Sequence, residues 1–367
     1  MNGGVELARN LAADLRLLPF LSRGRGTILR DRAAFDVGAF LDLLAQRAST
    51  PVELGWGAQG TLPTLTDNVV ILVGPPHATP EVIVKVADGP GGDLALEHEK
   101  GALSALSADT RLERLHQLLP VVRDEGVLAG RHYLVESVVP GIEADGVLHA
   151  SAAKRQMLAA AARTIAAIHS ATRSEEMVLD AHAVERWVDK PVAVLEQVMA
   201  YRPRAGTHAA ALARLADAAH RAIAGKAVAR SWVHGDYVPA NIFVSPDGAR
   251  VTGIVDWELA VPDGLPHLDV VHLLLSARVL VRRRELGQVV RELLIEPELE
   301  DIEQAALEPA WQALPGEPLD LRSLVLLCWL QVASSTLLRS ERYLRSRLWV
   351  KLNVEGVLRA AAAVGGD

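Results

Sequence analysis

Four polar residues set the terms for this chain. His234, Asp236 and Asn241 share one short segment and Asp256 follows downstream, all within SWVHGDYVPANIFVSPDGARVTGIVDWE, residues 231–258. The stretch Val-Ser-Pro-Asp-Gly-Ala lies between two apolar, β-branched runs, Asn241 to Val244 and Val251 to Val255, so a hairpin is expected with its turn at Pro246 to Gly248. A hairpin returns the chain to its origin. The carboxylate and carboxamide before the first strand therefore meet a second carboxylate at the end of the second. That grouping suits phosphoryl transfer, in which the protein positions a hydroxyl, holds one or two Mg²⁺ ions and offsets phosphate charge. Because Mg²⁺ takes hard oxygen ligands and commonly only one or two protein carboxylates, Asp256 and Asn241 are the candidate metal ligands. Asp236 is the candidate acceptor of the hydroxyl proton.

His-Gly-Asp is a common turn and Asp-Trp-Glu an ordinary strand end, so neither alone carries a function; their conjunction, in order and across a hairpin, does. His234-Gly235-Asp236, Asn241 and the segment Ile254 to Glu258 together resemble the catalytic core of the aminoglycoside phosphotransferase and choline kinase-like family. The resemblance implies that Asp236 is the catalytic base, that Asn241 and Asp256 bind Mg²⁺, and that His234 packs to orient the loop. It also implies an α+β, two-lobed protein-kinase-like fold, with a small N-terminal antiparallel sheet lobe carrying one helix and a larger, mainly helical C-terminal lobe. The implied reaction is transfer of the γ-phosphate of ATP, or of GTP, to a hydroxyl of an aminoglycoside-like, amino-alcohol or sugar acceptor. A protein kinase is disfavoured, because the motif is not His-Arg-Asp and no Asp-Phe-Gly or Ala-Pro-Glu segment brackets an activation loop. A catalytically idle kinase-like binding or regulatory module is disfavoured because every polar catalytic residue is present.

Upstream, the sequence must supply the nucleotide's side of such a site. Val52 to Leu54, Asn68 to Val73 and Val82 to Val86 are β-branched runs separated by turn formers. Between the first two, Gly55 to Gly60 satisfies G-x-G-x-x-G, yet Pro63 opposes the helix a dinucleotide site would need. A nucleotide-covering loop is the better reading, with Gly57 and Gly60 as candidate contacts. By resemblance Lys85 holds the α- and β-phosphates and pairs with a glutamate of the helix expected over Asp93 to Leu106. Glu97 and Glu99 are available there, and the family pattern of Leu four residues later selects Glu99, with Leu103. Two further strands, Val121 to Leu128 and Arg131 to Glu136, lead to Val138-Val139-Pro140-Gly141, where the resemblance places adenine against the main chain of Glu136 and Val138.

The chain divides at these shifts into a helical N-terminal extension (1–50), a nucleotide-binding lobe (51–141) and a helical lobe with the catalytic loop and acceptor pocket (142–367). In the extension Phe35, Ala39, Phe40, Leu43 and Leu44 have helical spacing, and Arg23-Gly24-Arg25-Gly26 reads as a solvated turn. In the helical lobe Ala152 to His169, Ala183 to Met199 and Ala209 to Ala224 are expected helices, with His169 a packing residue. Val261 to Pro266 reads as a loop. Asp269 has two compatible readings, as a helix cap and, by resemblance, as support for the catalytic loop. Glu258 and Asp263 are candidate substrate contacts.

With 367 residues, half of them apolar, the chain is long enough for two cores. A net charge of -7 argues against nucleic acid as a partner. The lone Cys328 excludes an intramolecular disulfide and suits a reducing cytoplasm. Glu6, Arg9, Asp14 and Arg16 interrupt any secretory core, and Leu324 to Leu338 reads as a core helix shorter than the ~20 residues of a membrane span. A small-molecule partner, no membrane, and a monomer or homodimer are expected.

Overall fold

The computed structural model describes residues 35–47, 50–62, 64, 68–200, 205–313, 319–339 and 341–364. The N-terminal part is built on a sheet of order β1-β2-β3-β5-β4, from β1 (Gly57–Leu62), β2 (Asn68–Gly74), β3 (Val82–Ala87), β4 (Val122–Leu128) and β5 (Arg131–Ser137). All four pairings are antiparallel. In β3 the two-residue period of a strand divides the run cleanly. Val82, Val84 and Val86 join Ile71, Val73 and Val135 in one core, and Lys85 faces the other way. On that second face the helix Pro90–Ala108 lays Leu96 against Leu134 and Ala87. Pro90 is pre-set for a first helical turn.

The helical spacing seen around Phe40 is realised in the helix Val37–Ala45, capped by the Asp36 carboxylate, which accepts from the Ala39 N–H at 3.0 Å. Its Phe40, Leu41 and Leu44 are buried in the same core as the sheet. The tetrapeptide Arg23 to Gly26, the charged residues from Glu6 to Arg16, and Pro63 lie outside the described residues.

The expected strand at Val52 to Leu54 does not form. Val52 is buried in the sheet core, and the first strand begins at Gly57 instead. Gly57 and Gly60 pair with Gly74 and Leu72 of β2, with a bulge between Ala58 and Gly60. Antiparallel pairing with Asn68–Gly74 was worth more to this segment than the turn suggested by its glycines.

The C-terminal part is helical around two adjoining cores. The helix His267–Arg282 serves both, with Val271 and Leu275 in one and Val270, Leu273 and Leu274 in the other. An element apolar on all sides is a buried one. The helix Leu321–Arg339 is long and apolar enough by composition to cross a membrane, yet Leu324 to Leu330 are all buried in the helical core. Cys328 is buried there, and burial pushes its thiol up. The hairpin forms as expected from Ile242–Val244 and Val251–Ile254, with Gly248 at positive φ in the turn. Val261–Gly264, read from sequence as a loop, is a strand paired with Ser231–Val233. Pro262 is tolerated because a two-stranded ribbon leaves one edge unpaired.

Candidate active site

The strand Ser231–Val233 delivers the chain to a loop whose main chain is held by the side chains of Asp269, His234 and Asn241. The Asp269 carboxylate accepts from the His234 N–H at 2.7 Å and the Gly235 N–H at 2.9 Å, and meets His169 Nε2 at 3.0 Å. Burial alone would raise this carboxyl. The His169 hydrogen bond and charge, with His234, hold it below the usual carboxylate range. Of the two readings of Asp269, support of the catalytic loop is the one realised, since the helix is capped at Pro266 without a side-chain bond. His169 packs, as expected, and its role is to anchor Asp269.

His234 is fully buried. Its Nε2 lies 3.0 Å from the Val255 carbonyl and its Nδ1 accepts from the Asp236 N–H at 3.2 Å. A carbonyl only accepts, so Nε2 must carry the proton and the ring is neutral. One imidazole thereby ties the main chain of Asp236 to the residue preceding Asp256. His234 stands as a positioning residue, without exposure to reacting atoms. Gly235 has φ +80°, and a Cβ there would meet the Leu259 carbonyl oxygen at 2.5 Å. Only glycine fits that turn.

Asn241 donates from Nδ2 to the Asp236 carbonyl oxygen at 3.0 Å, which leaves its amide oxygen for another partner. Asp256 occupies the left-handed region, φ 69° and ψ 57°, at a cost of about 1–2 kcal/mol for a side-chain-bearing residue. Such strain persists where the surroundings over-determine it. Here the next N–H, of Trp257, donates to Glu99 Oε1 at 3.2 Å.

Glu99 is the junction of the two parts. Its Oε1 also accepts from Lys85 Nζ at 2.6 Å, so the helix glutamate holds both the strand lysine and the main chain beside Asp256. Glu97 is exposed. Lys85 Nζ further lies 3.4 Å from Glu136 and 3.7 Å from Asp256. One ammonium thus serves three carboxylates. Burial acts to lower Lys85, but Glu136, Glu99 and Asp256 raise it well above the usual lysine range. Glu99 is raised in turn by burial and by Glu136, and Glu136 mainly by burial.

A cleft of about 420 Å³ opens beside this cluster and reaches both Asp236 and Asp256. Its apolar walls include Val70 and Ile83 from the sheet and Phe243 and Val255 from the hairpin. Val138 lines it, but Glu136 departs from expectation: its side chain, not only its main chain, belongs to the site, because the β3–β5 register pairs Lys85 with Leu134 and Glu136 is two residues on. The alternation of β5 held that signal; the register needed to read it lay outside the sequence. Gly57 and Gly60 do not line the cleft. They sit within β1, whose far end, Leu62, is its contribution.

Asp236 also lines a cavity of about 210 Å³, which shares wall residues with another of about 640 Å³. His272, missed in the sequence, approaches Asp236 with Nδ1 at 3.9 Å, and burial holds it below the usual imidazole range against the pull of Asp236 and Asp269. Glu258 is buried and receives Arg339 at 2.6 Å; Asp263 receives Arg186 at 2.6 Å and lines neither cavity. Both carboxylates read as substrate contacts are thus engaged by arginines. Arg186 and Arg339 come from helices distant in sequence, and nothing local to them announces a site.

A strand lysine paired to a helix glutamate, and Asp236, Asn241 and Asp256 flanking a hairpin, are the polar groups gathered here in an α+β phosphotransferase with an alcohol group as acceptor. The chain belongs to the phosphotransferase enzyme family, whose model matches residues 62–316. No curated protein sequence matches it. Among solved structures it is similar to aminoglycoside phosphotransferase APH(3'')-Id from Streptomyces rimosus, at 21% identity over 80% of this chain and 97% of that one, TM-score 0.49. The same enzyme in complex with ADP and streptomycin matches at 23% identity over 80% and 97%, TM-score 0.48. A GDP complex of an aminoglycoside 2'-phosphotransferase-IIIa variant matches at 15% identity over 84% and 94%, TM-score 0.49.

Proposed function

We propose that this protein transfers the γ-phosphate of Mg·ATP, or of Mg·GTP, to a hydroxyl of a small molecule, with Asp236 as the base. The observation that carries this reading is the meeting of the Lys85–Glu99 pair, 2.6 Å apart, with Asp256 in the cleft that Asp236 also lines. Lys85, held fully charged, would bind the α- and β-phosphates, and Glu99 would keep it extended toward them. The purine ring of the nucleotide would sit in the apolar slot between sheet and hairpin, against the main chain near Val138.

Asp256 and Asn241 would hold Mg²⁺. The donor set fits: Asp256 offers a carboxylate 41% exposed, and the Asn241 amide oxygen is uncommitted because its nitrogen is bound to Asp236. No cluster of three or more His, Cys, Asp or Glu side chains suited to a metal occurs among the described residues, which agrees with an ion that takes one or two protein oxygens and completes its shell with phosphate and water. When bound, the ion offsets phosphate charge. Asp236 would orient the acceptor hydroxyl and take its proton as the new O–P bond forms and the bond from the γ-phosphorus to the departing ADP or GDP breaks, while His234 and Asp269 keep the loop from moving.

The test is Mg²⁺-dependent ADP or GDP formation against a panel of alcohols, for the wild type and Asp236→Asn. Acceptor-stimulated turnover that disappears in the variant, with nucleotide affinity retained, is the expected result. Loss of nucleotide binding in Asp236→Asn would overturn the role given to this residue.

A further inference from the structure

The cavities of about 210 and 640 Å³ share Arg186, Leu259, Gln331, Ser335 and Arg339, so they form one acceptor region, which Asp236 lines through the smaller. Its charges are few, and the anionic ones are spent. Three carboxylates line it among the described residues: Asp236, Asp269 and Glu258. Asp269 is occupied by two main-chain N–H groups and His169, Glu258 by Arg339, and Asp236 is the proposed base. The cations are Arg186, Lys190 and Arg339, joined by the imidazoles of His98 and His272. Arg186 and Lys190 are balanced only from outside the cavities, by Asp263 at 2.6 Å and Glu185 at 3.5 Å. Much of the remaining wall is apolar, including Leu94, Val194, Val332 and Leu338.

An ammonium group taken from water into such a site needs a carboxylate to receive it, because an unpaired buried charge costs several kcal/mol. No such partner is free here beyond the base itself. We infer that the acceptor is an alcohol with an apolar body and no positive charge, its uncharged or acidic oxygens met by Gln331, Ser335 and Arg186, and that polycationic aminoglycosides are excluded. This rests on the kinase reading above and, of the acceptor classes the resemblance implies, retains the sugar-like one.

The experiment has two readouts. The first is ADP formation from Mg·ATP with kanamycin, with an alkyl glucoside and with a medium-chain 3-hydroxy acid, for the wild type and Asp236→Asn. The second is kanamycin binding by calorimetry at low salt to the wild type, Arg186→Gln and Arg339→Gln. The expected result is stimulation by the glucoside or the hydroxy acid and none by kanamycin. Kanamycin affinity should rise at least about 10-fold in either variant, since each removes a cation from the cavity wall and Arg339→Gln also uncovers Glu258; tenfold corresponds to about 1.4 kcal/mol. Kanamycin turnover at the highest kcat/KM, or wild-type kanamycin binding that neither variant strengthens, would overturn the inference. A wild type that binds no Mg·ATP would refute the kinase reading instead, and the kanamycin comparison, which needs no turnover, would still decide the character of the pocket.

Discussion

Replacing Lys85 with Met tests the charge balance on which the site depends. The substitution keeps the aliphatic stem and removes what is, among the described residues, the one cation paired with Glu99, Glu136 and Asp256, which lie 2.6, 3.4 and 3.7 Å from Nζ. Glu99 and Glu136 are buried and would not remain charged side by side without it. The variant should therefore take up one proton more than the wild type on folding. Protonating a glutamate of ordinary pKa, about 4.3, at pH 7 costs about 3.7 kcal/mol, a figure that agrees with the 3–5 kcal/mol, roughly, lost when one partner of a buried pair is deleted. The sign follows from linkage. A carboxyl whose folded pKa is raised above its unfolded value folds without penalty below that unfolded value and destabilises progressively as pH rises. The gap between variant and wild type should widen with pH by about 1.4 kcal/mol per unit between pH 5 and pH 7. With about 2–4 °C of Tm per kcal/mol, melting curves in a pH series would show the difference growing by about 3–6 °C per unit. A difference in Tm that stays constant from pH 5 to pH 7 would refute the argument.

Asp256→Asn should raise the nucleotide KM at a fixed, low Mg²⁺ concentration and be partly rescued by more Mg²⁺, as a titration of ADP formation against the metal will show. Asp269→Asn offers one carbonyl oxygen where two carboxylate oxygens now accept from His234 and Gly235; one N–H loses its acceptor, at about 1–3 kcal/mol. Its kcat should fall far more than its nucleotide affinity, since Asp236 is displaced and the phosphate contacts are not. Because the Asp269 carboxyl is held below its ordinary value, its contribution is complete above the unfolded pKa and is lost only as pH falls through the lower folded one, so the stability deficit of the variant should be constant between pH 6 and pH 8. Gly235→Ala forces a Cβ to within 2.5 Å of the Leu259 carbonyl oxygen at a positive φ; turnover should drop at least about tenfold with a stability loss of about 1–3 kcal/mol, read from kinetics and thermal melts together.

What the sequence determined by itself was the local chemistry. Asp236, Asn241 and Asp256 were legible because a hairpin is a local structure, and β-branched runs around a Pro-Asp-Gly turn define its closure without reference to the rest of the chain. Lys85 was legible for a related reason, as a charge inside a β-branched run. The choice of Glu99 over Glu97 already needed the family pattern, and the structure shows its physical basis: at helical spacing one faces β3 and the other solvent. Glu136 was misread because the face a strand residue occupies depends on register with its neighbours, a long-range quantity. Gly57 and Gly60 were misread because glycines that permit a loop also permit an edge strand, and pairing with β2 decided between them. The acceptor side was the least legible. Glu258 and Asp263 looked like a welcome for a cationic substrate while their partners were unknown. Arg339 and Arg186 come from helices 81 and 77 residues away in sequence, and only the packing of those helices turned two exposed-looking acids into neutralised ones. Bond-forming groups close in sequence are set by local geometry; the charge a substrate meets is the sum over everything packed around it, and that sum exists only in the folded chain.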